Sequence, residues 1–469
     1  MNLLLILILL FLLTFQEEKI KFVFQIHRHG ARTPVYNLTS NGDKYIDIYK
    51  EEWSLPEGEL TEIGKRMHYL VGVFNRKKYI DKYKLLSENY NPYEILVKST
   101  DVNRTLMSIY SQLQGLYPHT SDKIDNYDRD INLTYPQNFF NDYQLLEQIK
   151  KKYNNFLEQN SSLPNDITII PVHNINFNSH KIQLYSPDYC PGIKKSYEEG
   201  KTSEIMNSFI GNLSEDLLNK LKNISNLNEK NNFLENYRTL FSLMDTIVAD
   251  IYDDRELNFL KENNVNIKEL NETALDFLFK DYEFVNYYND ITSIYSMSPI
   301  MNEILFYMDE IVKNNNNPNK VKYLIFSGHD TNIAGFELFN HKIFGTNVEY
   351  AYFSQTEYYE LFINSSENNY YVRYMRGEKQ KFELDYNSFK KKIEEYLWTE
   401  SQINKFCKFE VVKITSKNLK LATIILSIID SILIIFLIIL KNIIIKKKKK
   451  IENDINNLQP LISFKKLDN

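Results

Sequence analysis

The stretch Arg28-His29-Gly30-Ala31-Arg32-Thr33-Pro34 sets two guanidiniums around one imidazole within five residues. A planar guanidinium offers paired N–H donors that match phosphate oxygens two at a time, better than an ammonium does. Gly30 allows backbone to approach a ligand closely, and Pro34 helps fix the turn that follows. A surface basic loop with an incidental histidine does not account for all five positions together. His27 and His29 also stand at strand spacing, as a zinc pair would. The flanking Arg charges and the lack of a nearby Cys or carboxylate third ligand argue against that reading. His68, His119, His173, His180 and His341 show no metal spacing and read as structural or surface residues.

These residues need elements to position them. Lys21 to Ile26 reads as a buried strand that delivers Arg28 and His29 at its carboxyl end, where open α/β sheets place ligands. Leu60 to Leu86 reads as a helix with Ile63, Met67, Leu70, Val71 and Phe74 on its apolar face. Tyr93 to Lys98 reads as a strand, Thr105 to Leu116 as a helix, Val321 to Phe326 as a second strongly apolar strand, and Glu357 to Ile363 as another. Asn314 to Pro318 reads as a loop tip. Residues 120–290 are polar and mostly helical in pattern. The order suggests an α/β sheet interrupted by a helical insert.

Composition narrows the rest. The chain has 469 residues, 43% hydrophobic and 25% charged, with a net charge of −5. That excludes a disordered chain and argues against a nucleic-acid partner. Leu3 to Phe15 has the size of a signal-peptide core, so residues 1–16 are expected to be a leader, with an uncleaved anchor as the alternative. Leu421 to Leu440 has the length of a membrane-spanning helix, with Asp430 inside it. Lys446 to Lys450 follow, so a cytoplasmic tail of 441–469 is expected, with the preceding residues in the lumen or outside. From Lys441 onward eight lysines oppose three acids, a net of +5, which leaves −10 for the remainder. Leu461-Ile462 resembles a dileucine sorting signal. Eight Asn-x-Ser/Thr sequons, starting at Asn37, Asn103, Asn132, Asn160, Asn212, Asn223, Asn271 and Asn364, all precede the expected span. Cys190 and Cys407, the two cysteines, allow one disulfide or two free thiols.

Arg28-His29-Gly30-x-Arg32-x-Pro34 resembles the signature of the histidine acid phosphatases, the second branch of the histidine phosphatase superfamily. Gly58-Glu59-Leu60-Thr61-Glu62-Ile63-Gly64 resembles the family's Gly-x-Leu-Thr-x-x-Gly segment. Ser99 to Ser108 resembles its second arginine motif, and Ser327-Gly328-His329-Asp330-Thr331 its His-Asp motif. The resemblance runs from about Lys21 to Cys407. With the expected membrane helix, the chain resembles the lysosomal and prostatic members.

The resemblance implies an α/β fold: a mixed sheet core flanked by helices, phosphoglycerate mutase-like, with a helical cap inserted at about 120–290 in a lumenal domain of 17–419. It implies His29 as the nucleophile that forms a phosphohistidine. Arg28, Arg32, Arg104 and His329 would bind the phosphoryl group, and Asp330 would donate a proton to the leaving alcohol. It also implies a Cys190–Cys407 disulfide. Elementary chemistry agrees. Neighbouring Arg charges should lower the His29 pKa and favour the neutral imidazole that attack requires, while bound phosphate works in the opposite direction, which leaves the net shift open. Asp330 must be protonated in the first step, which favours acidic pH. The scheme needs no metal or cofactor. Expected partners are small phosphate monoesters and, through the C-terminal helix, membrane lipid; a homodimer is left open. Two alternatives share the motifs: a phytase or inositol-phosphate phosphatase, and a catalytically inactive phosphatase-like surface receptor. The expected location is a single-pass type I protein of the lysosome, endosome or cell surface.

Overall fold

The first strand is longer than the sequence pattern suggests. In the computed structural model β1 spans Glu18–Arg28 and is buried on both faces for most of its length. Residues 18–35, 53–118, 167–175, 190–221, 237–255, 265–313, 320–364, 369–407 and 439–450 are described, with a few isolated positions besides. The expected leader and the Asn314–Pro318 loop tip lie outside them.

After β1 come α1 (Glu62–Asn75), a π-helical turn (Arg76–Lys82), β2 (Ile95–Thr100), α2 (Asn103–Leu116) and β3 (His173–Ile175). The cap region follows with α3 (Pro191–Lys201), α4 (Glu204–Leu221), α5 (Tyr237–Tyr252) and α6 (Ile267–Asp281). Then come α7 (Asp290–Lys313), β4 (Tyr323–Gly328), α8 (Asp330–Phe344), β5 (Thr356–Asn364), β6 (Asn369–Arg376), β7 (Lys379–Asp385), α9 (Tyr386–Glu394) and α10 (Glu400–Cys407).

Among the described residues the strands form one seven-stranded sheet in the order β3-β2-β4-β1-β5-β6-β7. Its β3-β2-β4-β1 half is parallel and its β1-β5-β6-β7 pairings are antiparallel. In the parallel half Arg28 pairs with Gly328, and Ser99 with Ser327. Parallel pairing therefore brings the carboxyl ends of β1, β2 and β4 to one edge.

Alternation along β1 explains the layering. Phe22, Phe24 and Ile26 enter one core with Met301, Phe326, Phe336 and Phe389 from α7, β4, α8 and α9. Val23 enters the opposite core with Ile80, Ile109, Leu113 and Ile325. Met206, Leu240, Met244, Ile247 and Phe277 of the cap region share a third core with Ala31, Ala334, Tyr350 and Phe353.

Within the 120–290 stretch, expected to be mostly helical, the three residues of β3 add an edge strand beside β2. Three residues are too few to reveal alternation in sequence. The buried stripe of α1 is not the apolar one. Gly64, His68, Gly72 and Asn75 are buried, whereas Leu70 is 57% exposed. The cause is close helix packing: a Cβ on Gly72 would lie 1.9 Å from the Gln112 carbonyl oxygen, and one on Gly115 would lie 2.1 Å from that of Tyr69. Backbones of α1 and α2 touch, and only glycine permits it.

Cys190, at the start of α3, and Cys407, at the end of α10, are joined by a disulfide across 217 residues. The chain divides after Lys408. In the C-terminal unit residues 439–450 are helical, with exposed Ile443, Ile444 and Ile445. Most of the expected 421–440 span lies outside the described residues, among which no helix is long and apolar enough to cross a membrane.

Candidate active site

The loop after β1 is held by backbone on one side and by glycine contact on the other. Segment 58–61 runs beside it: Thr33 N–H donates to the Glu59 carbonyl at 3.0 Å, Gly58 N–H to Pro34 at 2.9 Å, and Thr61 N–H to Ala31 at 3.0 Å. A Cβ on Gly30 would sit 2.3 Å from the Gly64 carbonyl oxygen. Gly58 takes φ +70°, a left-handed geometry that favours glycine. Gly30 N–H also donates to Ser108 Oγ of α2 at 3.1 Å. The Gly58-to-Gly64 segment thus acts as the brace of the His29 loop.

His29 is 1% exposed. Its Nδ1–H donates to the Gly30 carbonyl at 2.9 Å, which leaves Nε2 with a lone pair. Burial, then the charges of Arg104, Arg28 and Arg32, hold its pKa well below the usual imidazole value. The ring packs against His329 at 5.6 Å and Phe353 at 5.9 Å. His27 serves a different neighbourhood, with its ring 4.6 Å from that of His68. Both rings donate to the Arg28 carbonyl, His27 Nδ1–H at 3.3 Å and His68 Nε2–H at 3.0 Å. The zinc-pair geometry is therefore not formed. Among the described residues no group of three His, Cys, Asp or Glu side chains is placed to hold a metal ion.

Three guanidiniums converge on His29. Arg28 Nη1 donates to the Ala351 carbonyl at 2.6 Å and to Tyr350 Oη at 3.3 Å, and its Nη2 lies 2.8 Å from Asp330 Oδ2. The Phe353 ring lies 4.2 Å from the Arg28 guanidinium carbon, a cation–π contact. Arg32 grips Asp245 of α5 with both terminal nitrogens, at 2.7 and 3.1 Å. Arg104 Nη2 donates to His329 Nδ1 at 3.3 Å. Burial and then the nearby Arg32 lower the Arg104 pKa to about 10. Each of the three retains a buried Nε with no hydrogen-bond partner.

β4 ends at Gly328 and delivers His329 and Asp330 to the start of α8. His329 accepts from Arg104 at Nδ1, so its proton sits on Nε2 and donates to Thr100 Oγ1 at 3.1 Å. Burial and then Arg104 bring its pKa to about 3. Burial alone would raise the Asp330 pKa, but Arg28 and Arg32 outweigh it and hold it at about 2. Asp330 is thus a carboxylate in the unliganded site. The expected protonated form needs a change that substrate must bring.

The structure therefore gathers His29, Arg28, Arg32, Arg104, His329 and Asp330 at one sheet edge. Sequence reasoning missed Asp245, Tyr350 and Phe353. The terminal nitrogens of Arg32 are engaged by Asp245, and those of Arg28 by Asp330, Tyr350 and the Ala351 carbonyl. Asn103 donates to Glu59 Oε1 at 2.8 Å beside the site.

The described residues thus form a mixed α/β sheet with helices on both faces and a cluster of three Arg, two His and one Asp at the carboxyl ends of its parallel strands. Residues 19–375 match the sequence profile of the histidine phosphatase superfamily (branch 2), and the chain belongs to that family. It is 26% identical over 375 residues to the lysosomal acid phosphatase of Xenopus laevis, covering 78% of this chain and 71% of that one. It is 25% identical over 371 residues to human prostatic acid phosphatase, covering 77% and 79%. Among solved structures, the phytase of Citrobacter braakii superposes with a TM-score of 0.56 at 14% identity, covering 81% of this chain and 99% of that one. The Hafnia alvei phytase in complex with tartrate gives 0.53 at 12%, covering 82% and 98%. At such identities the structural likeness concerns the fold alone.

Proposed function

We propose that this protein is an acid phosphatase that hydrolyses phosphate monoesters through a phosphohistidine on His29, with Asp330 as proton donor. The observation that carries the reading is the set of three buried, partnerless guanidinium Nε groups around an imidazole whose Nδ1 is tied to Gly30. Buried donors without partners are costly unless a ligand satisfies them, and an anion does so best.

The steps balance without a further reactant. His29 Nε2 attacks phosphorus, a P–N bond forms, and the ester P–O bond breaks. Asp330 gives its proton to the departing oxygen, which leaves as the alcohol. Water then attacks phosphorus, Asp330 takes its proton, the P–N bond breaks, and inorganic phosphate leaves. Arg28, Arg32, Arg104 and His329 stabilise charge on the transferring oxygens. Asp330 acquires its proton when phosphate arrives: the new negative charge shares Arg28 and pushes the carboxyl pKa upward.

The domain reading belongs to the same proposal: a catalytic unit within 17–419, an anchor over 421–440 and a basic tail over 441–469, which makes a single-pass protein with a lumenal or extracellular site. The 20-residue length of the apolar stretch and the five lysines after it support this orientation. The test of the activity is rapid quench of a labelled aryl phosphate. The expected result is an acid-labile phosphoryl adduct on His29 and no turnover in His29→Ala. Label on a serine, or full activity without His29, overturns the reading.

A further inference from the structure

The cap helix α5 reaches into the phosphate site through one side chain. Asp245 is 4% exposed and uses both carboxylate oxygens. Oδ1 accepts from Arg32 Nη2 at 2.7 Å, and Oδ2 accepts from Arg32 Nη1 at 3.1 Å and from the Val35 backbone N–H at 3.0 Å. Arg32 Nη1 donates in addition to the Thr33 carbonyl at 3.1 Å. The fork of Arg32 is therefore filled from the cap side, and its buried Nε is the donor left without a partner. A guanidinium fixed at both terminal nitrogens cannot rotate, so the direction of that Nε–H is set by Asp245.

We infer that Asp245 is a positioning residue: it aims Arg32 at the phosphoryl group and makes the affinity for phosphate depend on the seating of the cap. The inference rests on the phosphate-site reading above, but not on turnover. The same helix places Tyr252 two turns from Asp245, with its ring 5.2 Å from that of Phe353, the aromatic under Arg28. One cap helix thus touches the supports of two of the three guanidiniums.

The sign of the effect separates positioning from simple charge. Asp245→Asn removes a negative charge from beside an anion site. If Asp245 acted through charge alone, phosphate would bind more tightly, most of all at low salt. If it positions Arg32, phosphate binds more weakly. The amide also sets an N–H₂ group against donors of Arg32 or Val35.

The experiment is calorimetric titration of the full chain with inorganic phosphate, wild type against Asp245→Asn, each alone and combined with Arg32→Ala. The expected result is an affinity loss of about tenfold to thirtyfold in Asp245→Asn, the size of a lost charged hydrogen bond. That loss should shrink to less than about threefold once Arg32 is absent, because coupled partners are not additive. Asp245→Ser, which leaves room for water against Arg32, repeats the comparison if the Asn variant does not fold. Equal or tighter phosphate binding overturns the inference, as does an undiminished loss in the Arg32→Ala background. A chain that shows the coupling but does not hydrolyse aryl phosphate upholds the inference and removes the acid phosphatase reading.

Discussion

Arg28 Nη2 and Asp330 Oδ2 form an ion pair at 2.8 Å, with the arginine side chain 2% and the aspartate 23% exposed. The expected proton donor is therefore latched to an expected phosphate ligand before any substrate arrives. In the proposed reaction phosphate would compete with Asp330 for Arg28, and the released carboxyl would be the group that takes up a proton. Asp330→Asn keeps the shape but cannot transfer one. Its kcat should fall by about 10²–10³-fold for alkyl phosphates, within the usual range for general acid catalysis. For p-nitrophenyl phosphate, whose leaving group needs little protonation, the fall should be much smaller. A leaving-group series measures this, and an equal loss across the series refutes the donor role.

Phe353 supports Arg28 from below. Leucine in its place fills the volume without a π face. A cation–π contact at a desolvated site contributes about 1–2 kcal/mol, so KM for aryl phosphates should rise about fivefold to thirtyfold in Phe353→Leu. Steady-state kinetics, with inhibition by inorganic phosphate as a second measure, checks it.

Stability should fall with acid over the range in which the proposed reaction would run. Burial, foremost, lowers the folded-state pKa of His27 and His29 well below the ordinary value, that of His68 to about 4 and that of His329 to about 3. The unfolded chain protonates each near 6.5 while the folded chain does not. Stability is therefore full above that pH and declines as pH drops toward the folded values, by up to about 1.4 kcal/mol per histidine per pH unit. Asp330 contributes in its own window, with stability present above about 4 and lost toward about 2. Denaturation midpoints measured from pH 7 to 4 should decrease. His68→Gln, which keeps a donor toward the Arg28 carbonyl, should reduce the slope by about one proton.

Gly72→Ala tests the helix contact far from the chemistry. With the Gln112 carbonyl oxygen 1.9 Å from the new methyl carbon, α1 and α2 must separate. Overpacking of this kind costs about 1–3 kcal/mol or more, despite the better helix propensity of alanine. Urea denaturation should show a lower midpoint; an unchanged midpoint contradicts the packing account.

The motifs that make the site were legible because each is local. Arg28, His29 and Arg32 share one loop, His329 and Asp330 share another, and each follows a strand whose apolar run announces it. What could not be read was pairing across distance. Asp245 lies 213 residues from Arg32, and Ala351, which accepts from Arg28, lies 323 residues away. Neither has a local pattern that points to its partner. The buried face of α1 was misplaced for a different reason. Periodicity assumes that large apolar residues face inward, whereas here glycines do, because the neighbouring helix arrives at backbone distance. β3 was invisible because three residues carry no period.

The Cys190–Cys407 bond closes the first unit one residue before the chain divides. Fraying that starts at the carboxyl side must stop at Cys407, since α10 is riveted to the first turn of α3. Tension on the polypeptide beyond Lys408 is likewise taken up by a covalent link and not by the hydrogen bonds of the sheet edge that holds His29. A pull on the carboxyl-terminal side is thus intercepted before it can reach the Arg and His cluster.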